Sequence, residues 1–197
     1  MLVLIWLGIG LLVCLGIVLL VQQRQSQALK PSSAPLVASV ERSIFDLQLG
    51  DFVQYLGGDW VVEGRLTYDS NGYQWLEYLL QEGEQVCWLS VEEDDQLEVC
   101  WLEPISDLEI SSTPPQKLTF GGEAYTCREA GSAKMTPSSK TLNRKAQRCQ
   151  YFDYNGPGNK VLSVEVWDGK VEVTAGERIS PTLLTILPGD GRRVYGV

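Results

Sequence analysis

Histidine is absent from all 197 residues. That absence removes the Ser-His-Asp and Cys-His nucleophile pairs, the His-Glu-x-x-His zinc helix and the histidine general base together. Cysteine is present but badly spaced for chemistry. Beyond the N-terminus, Cys87, Cys100, Cys127 and Cys149 are separated by 13, 27 and 22 residues, whereas structural zinc uses closely spaced pairs. They are expected to be small buried hydrophobes, and the sequence assigns no metal, cofactor or catalytic residue. Basic residues are scarce in one half only. Residues 41–110 hold 17 acidic and 2 basic side chains, a net charge of −15, while 111–197 hold 8 and 12, a net of +4. The chain as a whole carries −9, which argues against nucleic acid as a partner, because phosphate binding needs a basic surface.

What is present begins with an apolar run. Residues 2–21, "LVLIWLGIGLLVCLGIVLLV", contain no charge and no proline. At 1.5 Å rise per residue that length matches a hydrocarbon core of about 30 Å. A cleaved signal peptide would need a basic start, a shorter apolar stretch and a small-x-small cleavage site, so the expectation is an uncleaved membrane anchor over 1–22. Arg24 and Lys30 follow the run and nothing basic precedes it. The positive-inside bias then places the remainder in the cytoplasm, behind a plasma or thylakoid membrane. Residues 23–40, rich in Gln, Ser and Ala with two prolines, read as a flexible tether. A folded domain is expected over 41–197.

Turn signals at about ten-residue intervals divide that domain: "GG" at 57, "SNG" at 70, "EGE" at 82, "EEDD" at 92, "GG" at 121, "NGPG" at 155 and "DG" at 168. The runs between them are rich in Val, Tyr, Trp and Leu, with no helical period. The expected fold is all-β, an antiparallel meander closing into a barrel or sandwich, with single helical turns at most near Ser43–Leu47 and Pro181–Leu184. Trp60, Trp75, Trp88 and Trp101, one on each strand of the first meander, are expected to fill a common core.

The segment "VCWLSVEEDDQLEVCWL" at 86–102 reads as a hairpin. With Glu93 and Asp94 as its turn, Cys87 faces Cys100. With Glu93–Asp95 as its loop, Cys87 faces Trp101 and one face carries Cys87, Leu89, Val91, Leu97, Val99 and Trp101. The second register, with its wholly apolar face, is favoured, and the acidic tip is expected to be a solvated turn rather than a calcium loop.

Glu77 lies two residues after Trp75, and Glu165 two residues before Trp167, so in strands each shares a face with its tryptophan. Carboxylates beside aromatic rings suit a glycosidase or a cation site. The simpler expectation is an outward-facing glutamate beside a half-exposed ring. Between two strand patterns, "KMTPSSKTLNRKAQR" at 134–148 carries five basic residues and no acid. It is expected to be a loop whose Lys140, Arg144, Lys145 and Arg148 meet an anionic membrane surface or an acidic partner.

The segments "FDLQLGDFVQYLGGDWVVEGRLTYDSNGYQWLEYLL", "WLSVEEDD", "GGEAYTCREAGSAKM" and "LSVEVWDGKVEVTAGERI" together resemble the family called domain of unknown function 4178, over roughly residues 44–187. The resemblance implies a β-rich domain found with membrane-associated partners, and supplies no reaction or catalytic residue. The functional expectation is a non-enzymatic interaction or assembly module, anchored in the lipid bilayer and docking on a membrane protein. The alternative is a membrane-bound enzyme or small-ligand or cation sensor using strand carboxylates. A deep pocket with converging glutamates would favour that alternative.

Overall fold

The computed structural model describes residues 42–138, 145 and 147–195. The expected anchor and tether, and Lys140 and Arg144 of the basic segment, lie outside the described residues. Among the described residues no helix is long and apolar enough to cross a membrane.

The strands are β1 (Phe52–Tyr55), β2 (Gly58–Ser70), β3 (Tyr73–Glu82), β4 (Gln85–Glu93), β5 (Leu97–Pro104), β6 (Lys117–Phe120), β7 (Glu123–Pro137), β8 (Gln147–Asn155), β9 (Lys160–Trp167), β10 (Lys170–Arg178) and β11 (Thr185–Leu187). A single 3-10 turn covers Pro181–Leu183. The all-β expectation holds, and the choice it left open resolves as a barrel. Pairing runs β2, β3, β4, β5, β10, β9, β8, β7, and β7 returns to β2 from Leu66↔Pro137 to Asp69↔Lys134. Eight antiparallel strands therefore close on themselves, a size whose interior holds packed side chains or one small ligand. β1 and β11 extend the sheet beside β2, and β6 flanks β7.

Both sides of the barrel wall are covered, which is why many strands are buried on two faces. Outside the first meander, Val62, Tyr78, Leu80, Cys87, Leu89, Val99 and Trp101 pack under Leu47, Val53, Leu184 and Ile186. Outside the second, Tyr125, Tyr154, Leu162, Val164 and Val173 pack under Ile105, Leu108, Leu118 and Phe120. Inside, Leu66, Tyr68, Trp75, Ala133, Met135, Tyr151 and Trp167 form a third cluster. Two buried carboxylates fasten the segments before β1 and after β11 to the outer surface. Asp51 pairs with Arg42 at 2.8 Å and accepts the amides of Gln48 and Gly189, each at 2.8 Å. Glu63 stands at the irregularity between Val62 and Gly64 of β2. It pairs with Arg193 and accepts the amides of Val194 and Tyr195.

Three expectations need correction. The four tryptophans do not share one core: Trp60 and Trp101 meet outside the barrel, 5.2 Å apart, whereas Trp75 and Trp88 belong to the interior cluster. Strand parity separates them, since Trp75 and Trp88 fall on inward positions and Trp101 on an outward one. The hairpin takes neither proposed register. Glu93 faces Leu97, Leu89 faces Trp101 and Ser90 faces Cys100. This is a slip of two from the favoured pairing, so its faces survive: Cys87, Leu89, Val91, Val99 and Trp101 are buried together and Cys100 lies on the other side. The slip sets Glu92 against Glu98, where one arginine of β7 can bind both. Finally, the basic segment is not a loop from its start. Lys134 and Met135 continue β7, and Gln147 and Arg148 open β8, because closing the barrel against β2 demands a long β7.

Candidate functional site

Inward positions of seven barrel strands carry polar side chains, and they open into one cavity. Its wall includes Tyr73, Trp75 and Glu77 of β3, Ser90 and Glu92 of β4, Glu98 and Cys100 of β5, Arg128 and Glu129 of β7, Tyr151 and Asp153 of β8, Ser163 and Glu165 of β9, and Arg178 of β10. Six carboxylates thus face two guanidiniums, leaving the lumen strongly anionic. Toward the opposite end, Tyr68, Glu77, Trp88, Glu165, Glu172 and Thr174 line a smaller continuation. Leu66, Trp75 and Trp167 pack with Tyr68 there as an aromatic floor.

The mouth is neutralised by arginine. Arg128 reaches from an irregularity in β7 to Glu98 at 3.0 Å and Glu92 at 3.4 Å, and Arg178 binds Glu98 at 2.9 Å. Burial is the largest single influence on Glu98 and pushes its pKa up, yet the two arginines outweigh it and hold the group below its ordinary value. Glu92 is raised, chiefly by burial.

Deeper in, compensation by cations weakens, with Arg128 acting on Asp153 only at a distance. Among the described residues, no lysine or arginine forms an ion pair with Glu77 or Asp153. Glu77 is driven well above the usual carboxylate range by burial, then by the charges of Glu165 and Asp153. Asp153 is pushed up to about 6 by burial, with Glu92 and Glu129 adding to it, although Ser163 donates to it at 2.7 Å. Glu165 accepts the indole N–H of Trp167 at 3.2 Å, and Glu129 accepts the hydroxyl of Tyr151 at 3.0 Å. Aromatic rings surround these carboxylates. Tyr68 stacks on Trp75 with centroids 4.8 Å apart, and Tyr151 meets Trp75 edge-on at 5.2 Å. Gly131 makes that arrangement possible, because a Cβ there would come within 2.8 Å of the Tyr151 ring.

Sequence reasoning singled out Trp75, Glu77, Glu165 and Trp167, and the structure brings all four to this lumen. It corrects the expectation of outward glutamates beside half-exposed rings: Trp75 and Trp167 are 9% and 4% exposed, and both glutamates face inward. Lys145 and Arg148 are exposed, and neither lines the lumen. Asp153, Glu92, Glu98, Arg128 and Tyr68 were missed. A signal for some of them was in plain view. "LSVE" occurs at 89–92 and again at 162–165, and "WLEY" at 75–78 corresponds to "YFDY" at 151–154. The ladders agree: Trp75 faces Glu92 and Glu77 faces Ser90, just as Tyr151 faces Glu165 and Asp153 faces Ser163. The barrel is built from two like meanders, and each supplies the same pattern of inward carboxylates.

The lumen is suited to holding a positive charge. Among the described residues, no group of three or more Cys, Asp or Glu side chains is arranged to ligate a metal ion. Burial pushes the inward thiol of Cys100 up to about 12, far from the thiolate a nucleophile needs.

A family model described as "Domain of unknown function (DUF4178)" matches residues 48–181. Proteins described as uncharacterised, from Mycobacterium bovis and two strains of Mycobacterium tuberculosis, are 30% identical over 147 residues. That stretch spans 71% of this chain and 70% of each relative. No solved structure matches.

Proposed function

Starting from the premise that the chain belongs to the DUF4178 family, whose description names no activity, we propose that its barrel is a binding module for a small organic cation. The reading rests on one observation: Glu77 and Asp153 face the lumen interior, act on each other electrostatically, and have, among the described residues, no cationic side chain paired with either. Burying a carboxylate without a counter-charge is costly. In the chain alone the cost shows as the raised pKa of both groups, and a bound cation would offset it. The rings of Tyr68, Trp75, Tyr151 and Trp167 add faces that attract cations. Asp153 and Glu77, both raised, would ionise more readily as the cation enters, so binding should release protons.

This reading is non-enzymatic, and the strongly raised pKa of the Cys100 thiol, which disfavours a nucleophilic thiolate, is consistent with it. It displaces the assembly module favoured by charge asymmetry and tether, because the carboxylates converge inside the fold and not on its surface. The module is proposed to be held at a membrane by residues 1–22, facing the cytoplasm, with the ligand supplied from solution. Titration calorimetry of the full chain in detergent with simple alkylammonium ions tests it. Saturable binding near neutral pH, weakened at least tenfold in Glu77→Gln, is expected. Failure of every alkylammonium ion to bind would refute it.

A further inference from the structure

The lumen is too small for the whole of an organic ligand, and a slot in the barrel wall leads to space for the remainder. This inference rests on the cation-binding reading and extends it. The chamber walled by Glu77 and Asp153 encloses about 60 Å³, and its continuation at the aromatic floor about 20 Å³. A water needs roughly 10–15 Å³ of such volume. The acidic interior therefore holds a charged head group and little else.

Beyond the floor the space opens into a groove of about 610 Å³, a volume within the roughly 300–1,000 Å³ of small-molecule sites. Its apolar wall is made by Ile105, Leu108 and Ile110 of the connection after β5, by Val171 and Val173 of β10, and by Trp88 of β4. Ile105, Leu108, Ile110 and Val171 are only partly buried against the outer cluster.

Strand parity shows that this groove joins the inside of the barrel to the outside. Along β10, Glu172 and Thr174 line the lumen floor, while Val173 belongs to the outer cluster and Val171 packs against it, as alternation along a strand requires. All four nevertheless line the groove. A cavity touches both faces of a strand only past its edge, and β10 has such an edge here. β5 pairs with it from Thr174↔Pro104 to Arg178↔Cys100, and the chain then departs, the Ile105 amide donating to the Val173 carbonyl at 3.0 Å. Among the described residues, 170–173 have no partner strand on the side away from β9. Trp88, Glu172 and Thr174 line the floor chamber and the groove alike, so the two spaces meet at this slot. Glu77 is close to it. Its ladder partner is Ser90, and Trp88 is the next inward position along β4, a diagonal of about 7–8 Å.

We infer that the ligand of the barrel is an amphiphilic amine, its ammonium head against Glu77 in the lumen and a single unbranched aliphatic tail passing Trp88 through the slot into the groove beneath the 105–110 connection. The wall changes in the order such a molecule requires, from carboxylates through an indole to valine, leucine and isoleucine. The floor chamber, with space for about one water, rejects a ring or a second chain beside the head. Glu172 and Glu109 at the groove repel an anionic head, and so reject a fatty acid whose tail would suit the same wall.

The test is calorimetric titration of the full chain in detergent, at physiological ionic strength and pH 7.5, with ethylammonium, butylammonium and hexylammonium chlorides and with sodium hexanoate as separate titrants. Affinity should rise about twofold per methylene along the amine series, the result of burying each methylene by half, and hexanoate should not bind. Leu108→Ser and Ile110→Ser, made singly, should each weaken hexylammonium about fivefold and leave ethylammonium unchanged. Retained ethylammonium binding certifies the fold of each variant, and uptake of the longer amines by detergent cancels between variant and wild type. Equal affinity of the wild type for ethylammonium and hexylammonium, a length dependence that neither variant alters, or binding of hexanoate would overturn the tail site and leave the cation reading standing. Absence of binding by all three amines would overturn both.

Discussion

Tyr68 is tied to the acidic interior through a single atom. Its hydroxyl is fully buried and serves as a hydrogen-bond donor to the carboxylates of Glu77 and Glu165 beside it. Tyr68→Phe keeps the stacking on Trp75 but leaves those buried carboxylates a donor short, so it should destabilise the domain by about 1–3 kcal/mol, read as a lower urea midpoint with unchanged slope. Glu63 is a second buried case. It is fully buried and accepts two backbone amides while paired with Arg193. Glu63→Leu strands that arginine and both amides, and should cost roughly 3 kcal/mol or more in the same measurement. The thiols separate by their surroundings. Cys87 is buried under the outer cluster and its pKa is strongly raised, so it should resist iodoacetamide until the domain unfolds. Cys127, only partly covered, should react first. The residue scale was half legible. The shared strand face of Glu77 with Trp75 and of Glu165 with Trp167 followed from spacing by two. That those faces point into a lumen did not, because parity says which residues face together and not which way.

At the scale of the element, four hairpins among the described residues turn through left-handed pairs: Leu56-Gly57, Asn71-Gly72, Gly121-Gly122 and Asp168-Gly169, with φ of 50 and 85, 56 and 94, 58 and 79, and 47 and 83 degrees. Asn-Gly and Asp-Gly suit such turns. Leu56 does not, and it is 87% exposed, so packing does not compensate for its strain. Leu56→Asn should stabilise the β1–β2 hairpin by about 1 kcal/mol, seen as an upward shift in melting temperature. The faces of the β4–β5 hairpin were legible because a period of two is insensitive to a slip of two. Its register was not, because Glu92 and Glu98 are brought opposite one another in a place where Arg128 from β7 binds both, and no local pattern announces a residue 30 positions away. The basic segment misled for a related reason: Lys134 and Met135 belong to β7 since β2 needs a closing partner.

For the molecule as a whole, the acidic interior sets the dependence of stability on pH. Glu77, Glu92 and Asp153 all have folded-state values above the ordinary, through burial first. The folded protein then holds more protons than the unfolded chain between the ordinary carboxylate range and about 6, the value for Asp153, so stability falls as pH rises through that window. Glu98, held low by Arg178 and Arg128, opposes this only at more acidic pH. Melting temperature should therefore rise from pH 7 toward pH 5. Asp153→Asn should flatten the rise and add on the order of 2 kcal/mol at pH 7. A saturating alkylammonium ion should reduce the same slope by supplying the missing charge. The apolar run at 2–21 yields a separate expectation: the full chain should remain with membranes after an alkaline carbonate wash, and its release would remove the anchor from the proposal.

Composition and spacing alone determined that no histidine chemistry operates here, that the domain is built of short antiparallel strands, and which residues share a face. They did so because strand periodicity and turn chemistry are local, each decided within a few residues. Closure of β7 onto β2, the two-residue slip of the β4–β5 hairpin, and the meeting of Glu77, Asp153 and Glu165 in one lumen were decided only by tertiary structure. These depend on contacts between strands far apart in sequence, and on the fact that the barrel wall here is covered outside by apolar flanking segments and the 105–120 connection, which leaves its polar face inward. The repeated "LSVE" stood between the two. It signalled a duplicated meander, but two copies of a carboxylate pattern become one anionic site only when the strands that bear them curl toward a common axis.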